Sequence, residues 1–119
     1  MAEDNEVNQV VMKAMLKKLQ FDCDIVANGN QVLTILKIQH YDLVLMDLKM
    51  PERNGIETTR AIREMEKETI RNPPRLPVIA TTASVSEEDR KGCEKVGMDG
   101  FLSKPITFES LQVALSLYP

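Results

Sequence analysis

The stretch Tyr41–Gly55, YDLVLMDLKMPERNG, constrains the fold of this 119-residue chain more than any other. Leu43, Val44, Leu45 and Met46 form an unbroken apolar run, the pattern of a strand buried on both faces. The run stops at a carboxylate, Asp47, and Pro51 then bars the strand from continuing because it has no amide hydrogen to donate. Asn54-Gly55 marks a turn, after which a helical pattern begins. Asp47 is therefore expected at the carboxyl end of a buried strand, where open α/β sheets place their ligands. An ionised Asp beside so apolar a strand is costly unless something pairs with it. A turn or capping Asp accounts for this stretch, taken alone, equally well.

The rest of the chain alternates in the same way. Apolar positions Val7, Val10, Val11, Ala14, Met15 and Leu19 recur at helical spacing, with Lys13, Lys17 and Lys18 on the wet side and Asp4 or Asn5 as N-cap. Asp22–Ala27 reads as a short strand, and Asn28-Gly29-Asn30 opens a helix carrying Val32, Leu33, Ile35, Leu36 and Ile38. A third helix is expected from Gly55 to Glu68, with Ile56, Thr59, Ile62 and Met65 as its seam. Asn72-Pro73-Pro74-Arg75 is a stiff loop no helix could cross. Pro77–Thr81 is a strand, and Ser86-Glu87-Glu88-Asp89 is a helix start, with acids favoured by the dipole. That helix ends at Gly97. Phe101-Leu102-Ser103 is a strand that Lys104-Pro105 terminates, and a last helix runs from Phe108 to Leu117. Short strands alternating with helices predict a parallel sheet covered on both faces.

One strand is short. The first helix should follow a strand delivering Glu3 and Asp4 to the sheet edge that holds Asp47, yet only Met1 and Ala2 precede them. The sequence therefore predicts one α/β domain over residues 1–119, truncated at its N-terminal strand. Met1-Ala2 is expected to supply at most a stub. The slot would be closed by strand rearrangement, by preceding residues, or by a neighbouring chain in a strand-exchanged oligomer. A net charge of −3 gives no electrostatic case for nucleic acid or an anionic membrane as partner. Cys23 and Cys93 lie far apart without metal-ligand spacing, which favours a reduced, cytoplasmic protein.

If every strand feeds its carboxyl end to one crevice, Glu3, Asp4, Asp47, Thr82 and Lys104 meet there. Three carboxylates in one place repel one another unless a cation sits among them, and hard oxygen ligands with few protein contributors suit magnesium. A hydroxyl and an ammonium opposite suit a group with extra anionic oxygens. Together these describe a carboxylate nucleophile attacking phosphorus, with lysine and metal neutralising the developing charge.

The segments EDNEVN, YDLVLMDLKMP, VIATTA and GMDGFLSKP, with ETTRAIR after the central Gly55, resemble the receiver domain of two-component response regulators over nearly the whole chain. Their wording is most similar to receivers of hybrid histidine kinases. The resemblance implies a doubly wound, flavodoxin-like sheet of order 2-1-3-4-5, with most of the first strand missing here. It implies that Asp47 accepts a phosphoryl group from the histidine of a kinase or phosphotransfer domain. Glu3, Asp4, Asp47 and the backbone carbonyl of Lys49 would hold magnesium, Thr82 and Lys104 would bind phosphoryl oxygens, and Phe101 would be the aromatic switch. The peptide before Pro105 would be cis. Such a domain supports its own phosphorylation and dephosphorylation rather than acting as an ordinary enzyme, in some cases within a kinase chain. Its output surface lies around the fourth helix, last strand and last helix.

Two other functions compete. A haloacid-dehalogenase-like phosphatase also uses an Asp nucleophile, but wants a second Asp where Lys49 stands. A degenerate receiver acting only as a docking module would be favoured by loss of the acidic pair, Asp47 or Lys104, and none is lost. The remaining tempting residues have plainer readings. His40 is expected in a loop, Cys93 in ordinary helix packing, and Met12, Met15, Met46, Met50, Met65 and Met98 as filler. Thr58-Thr59 fits helix packing. Arg63, Glu64, Glu66, Lys67 and Glu68 read as a solvated face. Gln20 stands where a helix-ending glycine would be comfortable.

Overall fold

A computed structural model of the protein describes residues 1–50, 53–68, 75–83 and 86–117. Among these residues three parallel strands form a sheet: β1 (Val44–Asp47), β2 (Val78–Thr82) and β3 (Gly100–Ser103), in the order β1-β2-β3. Val44 pairs with Val78 and Asp47 with Thr81, while Thr81 pairs in turn with Leu102. Every residue of β1 and β2 is buried, as the continuous apolar runs require of strands covered on both faces.

The slot beside β1 is filled by the first residues of the chain itself. Ala2 bridges in parallel to Met46 on one side and to Val26 on the other. Its amide donates to the Leu45 carbonyl at 2.8 Å and its carbonyl accepts from the Asp47 amide at 3.1 Å. On the far side the Glu3 amide reaches the Val26 carbonyl, and the Val26 amide reaches Met1, both at 3.0 Å. The order is thus 2-1-3-4-5, with its first two positions held by single bridges. The strand expected over Asp22–Ala27 is reduced to the Val26 bridge, whose partner is Ala2.

Five helices lie among the described residues: α1 (Glu6–Lys18), α2 (Gly29–Ile38), α3 (Gly55–Glu68), α4 (Glu87–Val96) and α5 (Phe108–Ser116). Their starts follow the capping chemistry of the sequence. Asn5, Asn28, Ser86 and Thr107 each accept an amide three residues on, and Thr107 with Ser110 completes a reciprocal box. Two helix ends share one geometry. After α4, Gly97 sits at φ 90° and its neighbour's amide, that of Met98, reaches back to the Cys93 carbonyl. After α1, Gln20 occupies the equivalent left-handed position at φ 69°, and the Phe21 amide reaches Leu16. Asn72, Pro73 and Pro74 of the expected stiff loop lie outside the described residues.

The sheet divides the core in two. Leu45, Ile79 and Leu102 pack against Met12 and Leu16 of α1 and Leu111 and Leu115 of α5. On the other face Val44, Met46 and Val78 meet Val32 of α2 and Ile62 of α3, while Leu48 and Ala80 meet Cys93 of α4. Thr58 and Thr59 are fully buried, each hydroxyl bonded to a backbone carbonyl of the preceding turn.

Two expectations are overturned. In α1 the buried residues are Met12 and Leu16, whereas Val7 and Val10 are 70% and 71% exposed and Val11 is also exposed. The helix is apolar on more than one side, and the side carrying the longer residues is the one turned to the sheet. Arg63 and Glu66 are also no solvated face: their side chains are 11% and 12% exposed. The Arg63 guanidinium donates to the carbonyls of Gly97 and Leu76, to Glu66 and to Asp99, all between 2.7 and 3.0 Å. It ties α3 to the entry of β2 and to the turn after α4.

Candidate functional site

The carboxyl ends of the strands gather the residues singled out from the sequence. β1 ends on Asp47, which its own burial and that of its neighbours hold in place, and the Lys49 amide turns back to its Oδ1 at 3.2 Å. The Ala2 bridge sets Glu3 and Asp4 next to it, at the point where strand order reverses. Carboxylate oxygens of Glu3, Asp4 and Asp47 all lie within 4.8 Å of one another. Glu3 is wholly buried and Asp47 4% exposed, while Asp4 faces solvent. Lys104, just past β3, extends its ammonium to Asp47 Oδ2 at 3.0 Å and to Glu3 Oε2 at 3.1 Å. Thr82 is buried at the end of β2, its carbonyl accepting the Lys104 amide at 2.7 Å. The Lys104–Pro105 peptide is cis, as the family resemblance implied.

This crowding shows in the acidities. Burial first, and then the hydrogen bond to Glu3, push the Asp47 carboxyl up to about 6, against the pull of Lys104 and the Lys49 amide. Burial works in the same direction on Glu3, but hydrogen bonds with Asp47, Asn8 and Lys104 outweigh it and leave Glu3 below the usual carboxylate range. Burial alone would lower Lys104; its bonds to Asp47 and Glu3 raise it instead. Of the two buried carboxyls, Asp47 is the one that holds a proton more readily.

Supporting residues went unnoticed in the sequence. Asn8 donates to Glu3 Oε1 at 2.8 Å, and the Gln9 side chain donates to the Glu3 carbonyl. Their place in the first turns of the helix after an acidic pair was the available signal. Gly55 is needed for space: a Cβ there would lie 2.5 Å from the Asp47 carbonyl oxygen. Phe101 is half-buried against the cluster of Leu48, Ala80 and Cys93, with the Arg90 guanidinium 5.6 Å from its ring centre.

Fold and site together define a doubly wound α/β domain with an acidic cleft at its switch point. The chain belongs to the response regulator receiver domain family, whose model matches residues 1–116. It is 37% identical to histidine kinase 5 of Arabidopsis thaliana and 39% identical to hybrid signal transduction histidine kinase K of Dictyostelium discoideum. Those matches cover 99% and 98% of this chain but only 15% and 10% of the kinases. Among solved structures, the receiver domain of the sensor histidine kinase PA1611 of Pseudomonas aeruginosa is 38% identical, with a TM-score of 0.85 over 98% of this chain and 92% of that one. That structure holds a magnesium ion coordinated in its active-site cleft. The Ssk1 receiver of Saccharomyces cerevisiae, crystallised with the histidine phosphotransfer protein Ypd1, is 29% identical, with a TM-score of 0.89 over 98% and 84% of the two chains. The chain is thus a receiver domain of the kind found in two-component phosphorelay proteins, hybrid histidine kinases among them. No helix among the described residues is long and apolar enough to cross a membrane.

Proposed function

We propose that this receiver is a phosphorelay switch in which Asp47 takes a phosphoryl group from a phosphohistidine, with magnesium held by the acidic trio. The observation that carries the reading is the Lys104 ammonium 3.0 Å from Asp47 Oδ2, in a cleft that three carboxylates share. In the transfer an Asp47 oxygen attacks phosphorus in line, the P–N bond breaks, and the imidazole nitrogen keeps the electron pair. The product is an acyl phosphate. Lys104 is placed to neutralise charge on the transferring oxygens, and Thr82 is one strand away to donate a hydrogen bond to one of them.

The donor set fits a hard divalent cation. Glu3, Asp4 and Asp47 offer oxygens only, and burial together with the neighbouring Glu3, which push Asp47 up to about 6, are what such an ion would offset. Together with the Lys49 carbonyl they would form its protein ligands. When bound there, magnesium supplies charge neutralisation and a template for phosphoryl oxygens. The magnesium in the Pseudomonas relative and the phosphotransfer partner of the yeast relative support both assignments. The unpaired Cys23 and Cys93 suit a cytoplasmic setting. Phosphorylation adds roughly one to two negative charges. As Thr82 turns toward them, Phe101 leaves its contact with Arg90 and rotates inward, changing the surface of α4, β3 and α5.

Acetyl phosphate with magnesium tests the assignment. The wild type gains one hydroxylamine-sensitive phosphoryl group by intact mass, and Asp47→Asn gains none. Equal labelling of the two proteins refutes it.

A further inference from the structure

Thr81 has chemistry that the proposed transfer does not use. It lies in β2, in register with Asp47 of β1 on one side and Leu102 of β3 on the other. Register partners in a parallel sheet point to the same face, with strands about 4.8 Å apart. Leu45 and Ile79, two residues earlier in each strand, pack into the core under α1 and α5. By strand alternation the Thr81 and Asp47 side chains share that face and stand next to each other. Thr81 is wholly buried. Among the described residues, its hydroxyl is the buried side-chain oxygen or nitrogen that has no hydrogen-bond partner. Leaving a buried hydroxyl bare is unfavourable, and valine has the same shape without it.

Lys104 supplies the reason to keep the hydroxyl. It follows β3, yet its ammonium reaches Asp47 at the end of β1, so its side chain crosses the end of β2, where Thr81 lies. Its acceptors there are the carboxylates of Glu3 and Asp47. A divalent cation taking those carboxylates strips the ammonium of both. A half-buried ammonium then needs another oxygen, and a threonine hydroxyl is an acceptor with two lone pairs.

We propose that Thr81 is a positioning residue of the Asp47 site, its hydroxyl accepting a hydrogen bond from the Lys104 ammonium when a cation displaces the lysine from Glu3 and Asp47. The inference rests on the magnesium part of the proposed function. Thermal unfolding titrated with magnesium tests it on the wild type, Thr81→Val, Thr81→Ser, Lys104→Met and the Thr81→Val/Lys104→Met pair. Without metal, Thr81→Val melts about 2–5 °C above wild type, since the bare hydroxyl is gone. Its magnesium dissociation constant is roughly five- to tenfold weaker, the loss of one hydrogen bond in the loaded state alone. Thr81→Ser binds as wild type does. In the Lys104→Met background, Thr81→Val changes magnesium affinity by less than about twofold, because the ammonium that needs the hydroxyl is absent. Unchanged affinity in Thr81→Val overturns the proposal, as does an equal loss with Lys104 already removed. A wild type whose midpoint does not move with magnesium overturns the metal reading and this inference with it; a responsive wild type beside an equally responsive Thr81→Val overturns this inference alone.

Discussion

Replacing Arg63 with alanine probes the least expected part of the fold. The guanidinium is 11% exposed and makes five hydrogen bonds, to Gly97, Leu76, Glu66 and Asp99. Its removal leaves the Leu76 carbonyl without that donor and takes one counterion from Asp99. Breaking a buried ion pair from one side costs about 3–5 kcal/mol. Arg75 moderates this, because it also donates to Gly97 at 2.8 Å and to Asp99 at 3.1 Å. The lower end, about 3 kcal/mol, is expected. With an unfolding entropy of about 2.1 cal/mol/K per residue, that lowers Tm by roughly 12 °C. Arg75 itself is 55% exposed, so Arg75→Ala should cost less than about 1 kcal/mol. Urea unfolding of the wild type and both variants, with the slope checked for constancy, measures the two costs. Equal costs, or an Arg63→Ala cost below about 1 kcal/mol, would show that the buried position of Arg63 contributes nothing special.

Gln20→Gly should raise stability by about 1 kcal/mol, read as a higher Tm, because a residue with a Cβ is strained at φ 69°. Magnesium at about 100 times its dissociation constant should stabilise the fold by about 2.7 kcal/mol, and Asp4→Asn should lose most of the effect in the same thermal titration. In chelator, Asp47 should make the fold less stable as pH rises from about 4 to about 6. Its folded pKa stands above the unfolded value of 3.8, so the native state holds the proton longer than the unfolded chain does. Asp47→Asn should therefore gain stability relative to wild type between pH 4 and pH 7 in denaturant melts, and a difference independent of pH would count against the crowded site.

The three central strands, several caps and the gathering of acids and lysine at the strand ends were legible because each rests on local chemistry. A run such as Val44–Asp47 needs no partner to be seen as buried, and Asn5 or Ser86 caps its helix through an amide three residues away. Gln20 was legible as a misplaced glycine because the Schellman geometry depends on one dihedral. The failures are non-local. Whether Val10 or Met12 faces the sheet depends on how α1 is rolled, and a helix apolar on two sides leaves that to the packing. Arg63 looks like any surface arginine until Leu76 and Gly97, 13 and 34 residues onward, bring their carbonyls to it. Thr81 reads as an ordinary strand threonine, and only its lack of a partner distinguishes it.

The Ala2 bridge ties two events that most sheets keep apart. The residues that zip the stub between Val26 and Met46 are continuous with Glu3 and Asp4, two of the three acids in the cleft. Opening of this bridge therefore does more than expose a few amides: it parts Glu3 and Asp4 from Asp47, leaving that carboxylate the Lys104 ammonium and the Lys49 amide. Local opening of a short, singly bridged segment needs less free energy than global unfolding. Any ligand that engages Glu3 and Asp4 must oppose that opening, so occupancy of the cleft and hydrogen-exchange protection of the Ala2, Glu3, Val26 and Asp47 amides become two readings of one equilibrium.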